Sequence, residues 1–215
     1  MDTIVSAFNK GGTFMYPILV VSILVVGITI ERIVALYITA SVDRRAVLAA
    51  LEKMVRAGEI DRAVKLVSQS RAPMMRVLKV GLSNFNEKRE VIQLLMDEAA
   101  LSELPRLESR TGYLAMLSNV GTLAGLLGTI VGLIHSFASV ANAKAAEKST
   151  ELAKGISEAM NCTAFGLVVA IPALLAYAVL QGRTHRLVDD VNQSAVALYN
   201  IITDVKHPGP EQKAA

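Results

Sequence analysis

TGYLAMLSNVGTLAGLLGTIVGLIHSFASVANA, Thr111 to Ala143, decides the fold: 33 residues with no charged side chain unless His135 is protonated. Small and hydroxylated residues run through it: Ser118, Gly121, Thr122, Gly125, Gly128, Thr129, Gly132 and Ser136. A membrane span that only anchors is rich in leucine, isoleucine and valine. Here small residues allow close approach of helix backbones, and hydroxyls can line a wet path. The composition points to a span that assembles and conducts. A soluble helical protein is the competing reading, but a 215-residue globule could hardly bury so long an uncharged helix.

Two more uncharged stretches flank it, Gly11–Ile30 with 20 residues and Ala159–Gly182 with 24. A bilayer core needs about 20 apolar residues to be crossed as a helix. The mean hydropathy of +0.45 and 53% hydrophobic content fit a polytopic membrane protein with a sizeable soluble part. The expected fold is all-α, with three transmembrane helices, two of them extended into a cytoplasmic helical domain. The expected divisions are an amphipathic periplasmic amino terminus at 1–12, a first span at 13–38 and a cytoplasmic helical domain at 39–110. A second span at 111–140, a periplasmic loop at 141–156, a third span at 157–181 and a cytoplasmic helix and tail at 182–215 complete it.

Basic residues give the orientation. Glu31–Arg110 holds 14 Lys/Arg against 11 Asp/Glu, and Arg32, Arg44, Arg45, Arg110 and Arg183 near the span ends all fall on one side. Lys and Arg collect on the cytoplasmic side, so the amino terminus is expected outside and the tail inside. The first span is not expected to be a cleaved signal peptide, whose positive charge precedes a short apolar core, whereas Glu31-Arg32 and Arg44-Arg45 follow a long one. The single Cys162 allows no intrachain disulfide and no cysteine-based zinc site. The net charge of +3, the absence of Trp and the lack of a basic-aromatic cluster argue against a nucleic-acid partner.

The middle of the chain reads as helices. Val47, Leu48, Leu51, Met54 and Val55 share a face over Asp43–Ala57, and Gly58 breaks the pattern. Ile60, Ala63, Val64 and Val67 repeat it over Glu59–Ser68, Pro73 opens a short helix, and 83–86 is a turn. From Glu87 a segment carrying Val91, Leu94, Leu95, Glu98, Leu101 and Leu104 is expected to run unbroken into the second span to about Ser139, with at most a kink at Pro105. That rod of roughly 50 residues would be about 80 Å long. Arg183–Val205 extends the third span, striped by Leu187, Val191, Ala195, Leu198 and Ile202, and Pro208-Gly209-Pro210 marks a loose end.

On an ideal helix Ser118, Thr122, Gly125, Thr129, Gly132 and Ser136 share one face without a large side chain. Gly121-x-x-x-Gly125 and Gly128-x-x-x-Gly132 are close-packing patterns beside it. The plain alternative is tight packing on the third span, with hydroxyls bonded to their own preceding carbonyls. The third span opens with Glu158 and contains Asn161, Cys162, Thr163, Gly166 and Pro172. Counted from the outer ends, Thr129 and Thr163 lie about 13 Å and about 8 Å deep, close enough to share a level. Glu158 is the carboxylate at the edge of a polar membrane face, and such a group is a functional candidate; otherwise it is an interfacial or helix-capping charge. It is about 140° from Thr163 around the helix. His135 reads as a wet interfacial residue. No Asp or Glu lies deep in any span, so a conducting path would need its acid from another polypeptide.

Gly11-Gly12…Pro17-Ile18 with Glu31-Arg32, then Gly125–Phe137 (GLLGTIVGLIHSF), Gly155–Leu167 (GISEAMNCTAFGL) and Ala170-Ile171-Pro172-Ala173, resemble the MotA/TolQ/ExbB proton channel family. The resemblance covers nearly the whole chain and favours ExbB and TolQ over the four-span MotA. It implies an inner-membrane homopentamer around the single-span helices of an ExbD/TolR-like partner, whose membrane aspartate carries the ion. It further implies a TonB/TolA-like or other envelope force-transducing protein; two pore hydroxyls suit sodium as well as protons, and the family favours protons. No cofactor or metal is expected. The family's pore threonines fall on Thr129 and Thr163 and its glutamate on Glu158, with Gly121, Gly125, Gly128, Gly132, Gly166 and Pro172 in helix packing. At the position of His135 the family varies. The expected function is an ion-channel and stator subunit coupling proton motive force to work on envelope proteins, in energised transport, envelope maintenance or gliding. A passive membrane scaffold is the alternative. An intramembrane enzyme is excluded because Cys162 and the histidines at 135, 185 and 207 are scattered and no His-Glu-x-x-His occurs.

Overall fold

The computed structural model describes residues 11–40, 42–142, 144 and 146–206. Most of the expected amphipathic segment 1–12, and the loose end at Pro208-Gly209-Pro210, lie outside the described residues. Every regular element among them is helical: α1 (Met15–Ile33), a π-helical turn (Val34–Thr39), α2 (Arg44–Arg56), α3 (Ile60–Ser68), α4 (Pro73–Ser83), α5 (Arg89–Glu108), α6 (Thr111–Asn142) and α7 (Lys148–Lys206). Helices containing the three uncharged stretches are long and apolar enough to cross a membrane. Only 22%, 17% and 22% of their most apolar windows is buried, so these helices keep an apolar exterior that water would not tolerate.

The chain divides into two compact units, one of residues 1–32 and 110–179, the other of 33–109 and 180–215. In the second, local chemistry sets the boundaries. Asp43 caps α2 by accepting hydrogen bonds from the backbone N–H of Arg45 at 3.0 Å and Ala46 at 3.2 Å. Gly58, at φ +75°, ends it: its N–H donates to Val55 and that of Glu59 to Met54, the paired bonds of a left-handed glycine cap. Pro73 opens α4 where its missing N–H has no helical partner to lose. The core joins Leu51, Val55, Ala63, Val67, Val77, Leu78, Leu82, Ile92 and Met96 to the expected α7 stripe, of which Leu198 and Ile202 are almost fully buried.

One expectation is corrected, and two features are added to the reading. First, α5 does not run on into α6. It ends at Glu108, Ser109 turns extended and Arg110 takes φ +65°. A left-handed non-glycine residue costs about 1–2 kcal/mol. Ser109 Oγ donating to the carbonyl of Arg106 at 3.0 Å, and Arg110 pairing with Glu31 at 2.8 Å, accompany the break. Pro105, the expected kink, lies within α5. Second, α5 buries Ile92, Met96, Ala100, Glu103 and Leu107, while Leu94 and Leu101 are 67% and 72% exposed. The helix has two apolar stripes, and the buried one also carries Glu103, whose carboxylate reaches Arg76 at 3.0 Å and Arg106 at 2.9 Å. Third, α7 starts at Lys148, inside the segment expected as an outer loop.

In the first unit, α1 buries Met15, Ile18, Val21 and Val25 and exposes Tyr16, Leu19, Val20, Ile23, Leu24, Val26 and Ile30. The buried four recur at helical spacing, which leaves a broad apolar face for lipid or another polypeptide.

Candidate functional site

The site is built where α6 and the first half of α7 lie almost backbone to backbone. A Cβ added to Gly166 would stand 2.7 Å from the carbonyl oxygen of Gly121 and 3.1 Å from Cα of Gly125. One on Gly125 would be 3.0 Å from the carbonyl oxygen of Cys162, and one on Gly128 would be 2.8 Å from Cβ of Cys162. Gly132 is nearly as tight, 3.1 Å from Cβ of Ala159, whereas Gly121 itself has ordinary clearance of 3.6 Å. Such approach is possible only where side chains are absent. Pro172 lies within α7 and returns no N–H to the preceding turn.

This closeness places the two candidate threonines together. Thr129 and Thr163 share a hydrogen bond between their hydroxyls. Each also reaches the carbonyl oxygen of Gly125, Thr129 at 3.1 Å and Thr163 at 3.2 Å, and Thr129 reaches that of Ala159 at 3.4 Å. Both side chains are half-buried. The serines of the same stripe face inward: Ser118 donates across to the carbonyl of Ala170 at 2.8 Å and Ser136 to its own Gly132 at 2.6 Å, and both are buried. The stripe therefore packs at its ends and leaves hydroxyl oxygens partly open at its middle.

On the side of Gly11 and Phe14, a cavity of about 230 Å³ opens beside this contact. Glu158, Glu151, Lys154, His135, Ser136 and Ser139 supply its polar wall, and Gly11, Thr13 and Phe14 close one side. Thr129 and Thr163 are not part of its lining, in keeping with the angular separation of Glu158 from Thr163. His135, read from the sequence as a wet interfacial residue, shares this wall with Glu158. Sequence reasoning also missed the turn before α1. Gly12 adopts φ +69°, and the carboxylate of Glu158 fills the space a Cβ there would need. A paired glycine just before a span was the available signal. Among the described residues no group of His, Cys, Asp and Glu has the arrangement of a metal site.

Known proteins share sequence with this chain. Residues 69–193 match the MotA/TolQ/ExbB proton channel family. The chain is 33% identical over 179 residues to an ExbB-like biopolymer transport protein of Synechocystis sp., covering 80% of this chain and 68% of that protein. It is 39% identical over 95 residues to the Tol-Pal system protein TolQ of Haemophilus influenzae, covering 44% of this chain and 41% of TolQ. It is 31% identical over 136 residues to the biopolymer transport protein ExbB of Pseudomonas putida, covering 61% and 41% of the two chains. With an all-helical fold, three membrane-length helices and a family match across more than half its length, this chain belongs to the MotA/TolQ/ExbB proton channel family.

Proposed function

We propose that the chain is the ring-forming subunit of an inner-membrane motor, a homopentamer around an ExbD/TolR-like single-span partner whose membrane aspartate carries protons. The Thr129–Thr163 hydroxyl pair on Gly125 carries this reading. Two hydroxyls have two protons to donate. In this pair one proton lies between the threonines and the other is directed at the Gly125 carbonyl. The oxygens keep spare lone pairs. As arranged, the pair can accept a hydrogen bond from a protonated carboxylic acid but has no donor left for a carboxylate. To receive the ionised form, one hydroxyl must release its carbonyl. Loading and unloading the partner's aspartate thus changes its affinity for the same place on the ring, which differential binding requires if an ion is to shift an equilibrium.

Glu158 at the cavity wall is proposed as the outer loading group and the threonine pair as the deeper contact. The orientation that follows from the basic residues puts the cavity outside and 39–110 and 182–215 in the cytoplasm. A membrane potential supplies about 2.3 kcal/mol per charge per 100 mV, transmitted through a TonB/TolA-like protein to the envelope. One observation favours the passive scaffold: Ser118, Thr122, Thr129, Ser136 and Thr163 all have partners within the subunit. Proton flux into vesicles holding the chain with its single-span companion separates the two. Flux that requires the companion and its membrane aspartate supports the motor. A companion that binds without any flux supports the scaffold.

A further inference from the structure

Two backbone features meet at the turn before α1. Gly12 has φ +69°, and Oε1 of Glu158 occupies the place of a Cβ on residue 12, with Cδ only 3.0 Å from that point. One residue earlier the carbonyl of Gly11 accepts a hydrogen bond from the thiol of Cys162 at 2.8 Å. Glu158 and Cys162 are one helical turn apart and present the same face of α7 to this turn. The Cβ position of Gly11 is itself filled by Met15, whose Cγ and Sδ lie 2.5 Å from it. The turn is thus pressed against α7 by α1 and touches it at the candidate carboxylate. An αL conformation alone would accept Asn at moderate cost. The space taken by the carboxylate would not.

We propose that Gly12 is a positioning residue for Glu158: the side-chain-free turn lies against the carboxylate and holds it at the wall of the outer cavity. This rests on the reading that Glu158 belongs to the ion pathway. The segment before the first span then does more than enter the membrane; it sets where the outermost acidic group stands among Glu151, Lys154 and His135 on the same wall. A side chain at position 12 displaces the carboxylate towards those charges or away from the cavity. Shortening Glu158 by one methylene withdraws it by about 1.5 Å and makes room for that side chain.

The test uses the chain assembled with its single-span companion in vesicles, with proton flux measured as external pH is varied. Gly12→Ala is expected to lower flux about 10- to 100-fold, as a misplacement near 1 Å does, and to move the external pH of half-maximal flux. Glu158→Asp alone is expected to lower flux, and Gly12→Ala with Glu158→Asp to exceed either single variant, a coupling that independent effects cannot give. Gly12→Asn, which tolerates the backbone angle but carries a Cβ, should behave as Gly12→Ala. If Gly12→Ala does not assemble, recovery of rings in the double variant supports the contact and continued failure overturns it. Wild-type flux and pH dependence in Gly12→Ala, or additive losses in the double variant, overturn the proposal. Glu158→Gln separates the two levels. Lost flux in intact rings keeps the ion-pathway reading whatever Gly12 does, and undiminished flux removes that reading and the positioning role with it.

Discussion

Replacing Thr129 by valine keeps shape and volume and removes one hydroxyl. Thr163 still has the Gly125 carbonyl at 3.2 Å, and the losses are the hydroxyl pair and the bonds of Thr129 to Gly125 and Ala159. Interhelical hydrogen bonds in membranes contribute about 0.6 kcal/mol on average and reach about 1.7. Each subunit should therefore lose at most about 2 kcal/mol from its own α6–α7 contact and should still assemble. The proposed ion step should lose far more. A hydrogen bond to a charged group is worth about 1.5–3 kcal/mol, and each ~1.4 kcal/mol on a barrier is tenfold in rate. Flux in Thr129→Val and in Thr163→Val should fall about 10- to 100-fold, while Thr129→Ser, which keeps the hydroxyl, should retain most of it. Proton uptake by vesicles under an imposed potential reads the flux, and thermal melting of the purified ring reads the stability. If both valine variants conduct at the wild-type rate, the hydroxyl pair is only packing and the scaffold reading stands.

Four more outcomes are expected. Gly166→Ala, whose Cβ would stand 2.7 Å from the Gly121 carbonyl, should destabilise the α6–α7 packing by about 1–3 kcal/mol through overpacking; Gly27→Ala, with nothing within 4 Å, should be neutral in the same melting assay. Gly58→Ala, at φ +75° in open space, should lower the melting temperature through backbone strain of about 1–2 kcal/mol, and Gly58→Asn should cost less. Glu103→Gln weakens the bonds to Arg76 and Arg106 at a carboxylate only 10% exposed; because both arginines are well exposed, the expected loss is about 1–2 kcal/mol, below that of a fully buried pair, read by thermal unfolding of the full chain. Thr13→Cys and Ser139→Cys should react with a membrane-impermeant maleimide from the periplasmic side and Gly58→Cys only after permeabilisation; the reverse pattern contradicts the orientation.

The features written locally in the chain were the legible ones. Uncharged length located the three membrane helices, Asp43, Gly58 and Pro73 marked helix ends through capping and φ, and the α7 stripe from Leu187 to Ile202 is buried as its period requires. What escaped depends on partners distant in sequence. Arg110 has no local signal for a positive φ, and its guanidinium pairs with Glu31, 79 residues away. On α5 the sequence offers two stripes, and which of them is buried, with Glu103 bonded to Arg76, is settled only once α4 is beside it. The meeting of Thr129 with Thr163 could be expected from depth on antiparallel helices. The meeting of Gly12 with Glu158 could not, because nothing in a glycine pair says which carboxylate will fill the space it leaves.

The central claim is that the hydroxyl-bearing helices surround the acidic helix of another polypeptide. The direct measurement pairs Thr163→Cys in this chain with a cysteine replacing the partner's membrane aspartate, and oxidises the assembled complex in native membranes. A disulfide between the two polypeptides, lost when the partner's cysteine is moved one residue to the opposite face, is the expected result. Position 163 bonded only to other copies of this chain, or left unreacted beside an intact partner, would contradict it.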